Sequence, residues 1–348
     1  MNKRTILSEK NIAGYLNAKA VDGFIFEIKK VINVTEITKY SNAFFVYRAE
    51  CLTNQGKKIL YLKQSDGYVK RDRKIRINPA RTVIEGRKLK FLESLIGKKI
   101  VPQVLHVDYH NYILVLDDIQ GKKKILIEEF NRDKVQPQLA EEFGNFFGKM
   151  HGRTYNMPLL FSNISNQNKV NFIWRDWVMF GAKKLIKEEA IKKFVKNSDR
   201  AKKSFVWGDP VYRNIFVSKH GFSVLDFDFA MENDPALDNG IFLAHWLIKI
   251  LEEKVAVSKD CRYFIKNFIK AYVKTMKSFG ISAHEIKGVI KRTTVWTGIY
   301  MVSRTDGRSG SYYKNRPRLE AKIRETGLAL ITRSKNKTAD WYASILTK

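Results

Sequence analysis

Residues 205–235 read FVWGDPVYRNIFVSKHGFSVLDFDFAMENDP. Asp209, Asp226, Asp228, Glu232 and Asp234 crowd into this one segment of a chain that carries 64 lysines and arginines against 35 acids. Asp226 and Asp228 alternate with Leu225, Phe227 and Phe229. Carboxylates set among apolar groups are costly to bury unless a cation or a hydrogen-bond donor meets them. The segment is therefore either an acidic surface loop or a place that holds a cation.

The spacing favours the second. An aspartate, an asparagine five residues on and another aspartate about a dozen further, here Asp209, Asn214 and Asp226, are the parts that phosphoryl transfer needs. The first acid orients or deprotonates the attacking hydroxyl, and the amide and second acid hold magnesium against the nucleotide phosphates. The short runs NIFVS and FSVLD flank a tight turn at His220-Gly221, so a hairpin carries the chain from Asn214 to Asp226. Asp228, two residues on, is a further candidate for the metal.

The same chemistry asks for a lysine on the third strand of a small sheet and a glutamate on the helix after it. Residues 31–38, AFFVYRAEC (43–51) and ILYLKQ (59–64) alternate like strands, with Gly56 in the turn between the last two. Lys63 lies on the third. Asn78 and Pro79 open a helix that carries Glu85, with Val83, Leu89 and Leu92 near one stripe. Two more strands are expected around 103–108 and 112–118, completing five strands and one helix.

Beyond about residue 135 the pattern turns helical. Leu139, Phe143, Phe146 and Met150 recur every three to four residues, and NGIFLAHWLIKILE (239–252) is apolar nearly all round, as in a deeply buried helix. The expected architecture is α+β: an antiparallel-sheet N-terminal lobe over 1–118 and a larger, mainly helical lobe over 119–348.

Taken together, these motifs resemble the aminoglycoside phosphotransferase and choline kinase superfamily, which has a protein-kinase-like, two-lobed fold. WGDPVYRN matches its His-Gly-Asp, four residues, Asn pattern, LDFD its IDFE-type element, and NDPALD its Gly-Asp-Pro element. SNAFFVYR is similar to the Ser-Asn phosphate-loop turn, VPQVLHVD to the strand after the helix, and KQSDGYVK to the methylthioribose kinase branch. SRTDGRSGSYY is similar to an Arg-x-Asp-Gly-Lys-Ser element of some members. The likeness implies a kinase that uses ATP or GTP with Mg2+ to phosphorylate a small-molecule hydroxyl. Asp209 would be the base; Asn214, Asp226 and Asp228 the metal ligands; Lys63, Glu85, Ser41 and Asn42 the nucleotide contacts. Arg304, Asp306 and Arg308 would meet the acceptor, and Asp238 would brace the catalytic loop. Trp207 replaces the family's histidine and Pro210 its leucine, both read as packing changes, and the loop ITKYSNAFF has no glycine.

The net charge of +29 comes largely from 57–90, 182–203 and the region after Arg304. AKKLIKEEAIKKFVKNSDRAKK (182–203) reads as one amphipathic helix with its lysines in water. A field of this sign attracts polyanions and disfavours a polycationic acceptor, so the acceptor is expected to be neutral or anionic. A catalytically silent relative that binds nucleic acid is the competing reading, although no nucleic-acid motif accompanies the charge. Two cysteines, Cys51 and Cys261, imply no disulfide framework, and no apolar run is long enough for a membrane span, so a cytoplasmic location is expected.

Overall fold

Strands β1 (Ile28–Glu36), β2 (Phe45–Thr53) and β3 (Gly56–Gln64) form an antiparallel meander, with Thr53 opposite Gly56 at the turn between β2 and β3. The structure is a computed structural model. It describes residues 4–17, 26–39, 41, 43–97, 100–157 and 168–347, excluding the side chains of 168–175, 188 and 346–347. The chain divides into two units, one of residues 1–123 with 223–228, the other of 124–222 with 229–348.

In the first unit the meander extends through β7 (Ile113–Asp117) to β6 (Val104–Asp108), giving the sheet order β1-β2-β3-β7-β6. Successive side chains of a strand face opposite ways. Tyr47, Ala49 and Cys51 of β2 and Leu60 and Leu62 of β3 point to one face, where they pack with Ile12, Tyr15 and Leu16 of the short helix α1 (Ile12–Asn17). Lys63 points to the other face. That face meets α2 (Arg81–Ile96), on which a Cβ at Gly86 would lie 2.8 Å from Leu114 of β7. The missing side chain lets the helix sit close enough for the neighbouring Glu85 to reach β3.

Helix α2 starts two residues later than the sequence suggests. Asn78 closes an Asx turn onto Ala80 N–H at 2.9 Å, so it caps the turn before the helix instead of the helix itself. A two-strand hairpin, β4 (Tyr68–Val69) and β5 (Asp72–Arg76), precedes it.

The second unit is mainly helical: α3 (Leu126–Asn131), α4 (Ala140–Gly152), α5 (Asn168–Leu185), α6 (Glu188–Arg200), α7 (Ala236–Leu251), α8 (Val255–Ser278), α9 (Ala283–Asp306), α10 (Pro317–Thr332) and α11 (Lys337–Thr347). Every residue of α7 is buried. Phe143 and Phe147 of α4, Phe242 and Trp246 of α7, and Phe264 and Phe268 of α8 join in one aromatic core. Ser282 and Glu285 form a reciprocal capping box that starts α9. Residues 182–203 are two helices, broken at Ile186 and Lys187, and Lys183, Lys184, Lys192, Lys193 and Lys196 do lie exposed. Short strands β8 (Lys124–Ile125) and β10 (Ile215–Ser218) pair, as do β9 (Ser204–Val206) and β11 (Met231–Asn233). Among the described residues no helix is long and apolar enough to cross a membrane.

Candidate active site

In the first unit the buried ammonium of Lys63 stands 2.7 Å from Glu85 Oε2 and 2.8 Å from Asp226 Oδ1. Burial works against its charge, but Asp226, Glu85 and Asp228 outweigh that cost and lift its pKa above the ordinary lysine value. Burial likewise pushes the Glu85 carboxyl up, with Lys63 opposing. Glu85 Oε1 also accepts from the Phe227 N–H at 3.2 Å. One glutamate thus holds both the lysine and the backbone between the two aspartates. The ring of Phe44 covers the Lys63 ammonium, 4.4 Å from its centroid.

Asp226 and Asp228 differ sharply. Asp226 has a φ of 62°, a left-handed conformation that aspartate enters more readily than most residues, and its side chain is 37% exposed. Asp228 is 1% exposed and clasped by the Arg81 guanidinium, with Nε at 2.9 Å from Oδ1 and the second nitrogen on Oδ2. Its carbonyl accepts from Lys88 Nζ at 2.7 Å. Asp228, expected as a metal ligand, is engaged here by an arginine fork. Arg81, Glu85 and Lys88 recur at i, i+4 and i+7, a charged stripe on a face of α2 that proves buried. That spacing is the sequence signal for Arg81 and Lys88, and it lies beside the apolar stripe of the same helix.

Ser41 donates its hydroxyl to the Phe44 carbonyl at 2.6 Å and so closes its own loop. Asn42 lies outside the described residues.

In the second unit the loop from Trp207 to Asn214 is hung on Asp238. That buried carboxylate accepts the Trp207 and Gly208 N–H groups at 2.6 and 2.8 Å and lies 3.1 Å from His151 Nε2. His151 Nδ1 is in turn 3.2 Å from the Tyr272 hydroxyl. Gly208 has a φ of 84°, and a Cβ there would sit 2.3 Å from the Phe229 carbonyl, so only glycine fits. Trp207 is fully buried against Phe146 and Phe147. The next residue, Asp209, is 4% exposed, and its Oδ2 accepts from Arg213 at 2.8 Å and Asn214 Nδ2 at 3.3 Å. The Asn214 amide also donates to the Asp209 carbonyl at 3.1 Å, which fixes the asparagine against the aspartate.

Arg304 and Asp306 belong to the last turn of α9. Asp306 accepts from Arg324 of α10 at 2.7 Å and from Thr305 at 2.7 Å. It thereby ties α9 to α10. Arg308 is exposed, its guanidinium 5.0 Å above the Phe180 ring. Arg304 stacks on Tyr300 and Tyr312 at 4.7 and 4.2 Å. Beside it His245 packs edge-on to Tyr212 and Tyr300 at 4.1 and 5.1 Å. Burial, Arg304 and Arg213 together hold the His245 pKa well below its ordinary value, so it is neutral. The aromatic members of this cluster have no short motif and were not legible as a site.

A profile of the phosphotransferase enzyme family matches residues 61–256. The chain belongs to that family. Its antiparallel-sheet N-terminal part and helical C-terminal part are the fold class the motifs led one to expect. Among solved structures, a choline/ethanolamine kinase family protein from Mesorhizobium loti is 16% identical, covering 97% of this chain and 98% of that one, with a TM-score of 0.48. Plasmodium vivax ethanolamine kinase is 14% identical over 96% and 84%, also at 0.48. The amicoumacin kinase hAmiN, in complex with AMP-PNP, Ca2+ and Ami, is 13% identical over 86% and 88%, again at 0.48. No curated protein matches the chain.

The residues present suit the hard cation that the family's chemistry implies. Among the described residues no group of three or more His, Cys, Asp or Glu is placed to hold a metal. Magnesium takes few protein ligands, all oxygens, and fills its shell with substrate phosphates and water. One accessible carboxylate, Asp226, and the amide oxygen of Asn214 are donors of that kind.

Proposed function

We infer that this phosphotransferase moves the γ-phosphoryl group of ATP or GTP to a hydroxyl of a small molecule that is neutral or anionic. The observation that carries the reading is Lys63, a buried lysine on a central strand within 2.8 Å of both Glu85 and Asp226. A buried charge demands such partners, and a lysine so oriented is the group that grips the α/β phosphates in this chemistry.

Asp209 is assigned the base. The acceptor oxygen attacks the γ-phosphorus, its proton passes to the Asp209 carboxylate, and the bond from phosphorus to the β–γ bridging oxygen breaks, its electron pair leaving with the nucleoside diphosphate. Arg213 and Asn214 hold the carboxylate in place for that transfer, and Asp238 holds the backbone beneath it. Asn214 and Asp226 would hold magnesium, which when bound neutralises charge on the phosphates. Ser41 and Asn42 are assigned to the nucleotide, as is Glu85 through Lys63.

The test is a screen of hydroxylated metabolites for nucleoside diphosphate release, followed by Asp209→Asn. The variant should lose about 10²–10⁴-fold in kcat, the range of a general base, and still bind nucleotide. Near wild-type kcat in Asp209→Asn would move the base to another residue.

A further inference from the structure

Arg304 is a half-buried cation without a counter-ion. Among the described residues it forms no ion pair, and its Nε atom is sealed from water with no hydrogen-bond partner. Elsewhere in the second unit several buried or half-buried cations are matched, Arg292 to Asp234, Lys249 to Asp133 and Glu252, and Arg324 to Asp306 and Glu320, whereas half-buried Arg262 stacks on Trp341. Arg304 instead has two aromatic faces, Tyr300 and Tyr312, which stabilise a desolvated guanidinium and hold its fork in one orientation. Leaving a donor of this kind unsatisfied is costly.

Its surroundings join it to the catalytic loop. Tyr300 packs against His245, and His245 against Tyr212, which lies between Asp209 and Asn214 in the chain. Tyr212 belongs to the same short turn as Arg213, whose guanidinium holds Asp209 at 2.8 Å. Asp209 is a carboxylate whose charge reaches Tyr300 of this cluster, and it already has Arg213. His245 is neutral and adds no charge.

We propose that Arg304 is the acceptor-recognition residue and that it pairs with a carboxylate or phosphate group carried by the acceptor, which places a hydroxyl of the same molecule at Asp209. This inference rests on the kinase reading above and narrows its acceptor to an anionic hydroxy compound. A planar fork clasped between rings suits bidentate capture of such a group. Tyr212, Tyr300 and Tyr312 supply the apolar walls against which a compact carbon skeleton packs.

The experiment uses the full chain with Mg2+ and a non-hydrolysable ATP analogue, and titrates matched probes by calorimetry. The pairs are D-ribose with D-ribose 5-phosphate, glycerol with glycerol 3-phosphate, and glycerol with D-glycerate, and choline is the cationic arm. At least one anion should bind about tenfold or more tightly than its neutral partner, as a charge-assisted contact gives. Arg304→Gln should abolish that preference and Arg304→Lys should keep part of it, with thermal melting used to confirm that both fold. Should Arg304→Gln not fold, the Lys variant and competition by inorganic phosphate against the bound anion, in wild type, carry the comparison. No anion preference in the wild type, an equal preference in Arg304→Gln, or tightest binding of choline overturns the inference. Failure of the wild type to bind ATP with Mg2+ brings down the kinase reading along with it. ATP binding without anion preference brings down this inference alone.

Discussion

Asp226 and Asp228 lie two residues apart on a strand-like spacing, and their environments differ: one side chain is partly exposed beside Lys63, the other buried against Arg81. The sequence makes both legible as unusual, because each interrupts an apolar run, but it cannot tell a carboxylate facing water from one facing an arginine. The partner, Arg81, is 147 residues away in the chain. Asp226→Ala should abolish magnesium-dependent nucleotide binding and cost less stability than Asp228→Ala, because Glu85 still holds Lys63. Asp228→Ala should destabilise the protein by about 3–5 kcal/mol, because it strands the Arg81 guanidinium in the interior. Calorimetry with nucleotide and denaturant titration separate the two, and the reverse pattern would exchange the roles. Lys88 adds a pH signature. Burial holds its ammonium down at about 8, against the 10.5 of an exposed lysine. Below about pH 8 both folded and unfolded chains keep the proton; between about 8 and 10.5 the unfolded chain binds more, so the Lys88 contribution to stability rises with pH. The unfolding free energy of wild type minus that of Lys88→Met should therefore increase from about pH 7 to about pH 10. A difference flat in pH would mean that Lys88 titrates normally.

Helix α4 shows what an element discloses and what it hides. Its apolar stripe, Phe143, Phe146 and Met150, is visible in the sequence because large side chains at three-to-four spacing announce a buried face. The other face carries Gly144, Gly148 and Gly152, and residues without side chains announce nothing except by their regular spacing of four. In the structure this is where α8 comes closest: a Cβ on Gly144 would lie 2.4 Å from the Phe268 carbonyl, and one on Gly148 2.7 Å from Thr275. The same logic governs Gly86, whose bare backbone lets α2 carry Glu85 to Lys63. Gly144→Ala should destabilise by about 1–3 kcal/mol through overpacking, despite the roughly 1 kcal/mol that alanine gains as a helix former. Gly14→Ala in α1 is the control, since no atom lies within 4 Å of its would-be Cβ. It should be neutral or stabilising by up to about 1 kcal/mol. Thermal or urea unfolding of the two variants side by side checks both signs. Equal effects would mean that propensity, and not the α4–α8 approach, sets the outcome.

At the scale of the whole molecule, the net charge of +29 is plain in the sequence, but which acids remain available to a ligand is not. That depends on pairings between distant residues. A polycationic acceptor such as an aminoglycoside needs a cleft lined with carboxylates, because like charges in a partly desolvated site repel by several kcal/mol. In the helical unit the candidate acids are already engaged. Asp234 is held by Arg292 and Ser198, Asp238 by the catalytic loop and His151, Asp306 by Arg324, and Glu252 by Lys249 and Arg316. Residues 303–324 add seven basic side chains against two acids, and 182–203 nine against three. Arg304 stands inside this field close to the catalytic loop. Expression of the protein should therefore leave the susceptibility of a bacterial host to kanamycin unchanged, and purified enzyme should release no nucleoside diphosphate when offered the drug. Phosphorylation of kanamycin at a kcat/KM above about 10⁴ M⁻¹s⁻¹, in the range of a natural substrate, would sink the expectation. It would require an acidic acceptor surface that the ion pairs of Asp234, Asp306 and Glu252 do not leave open.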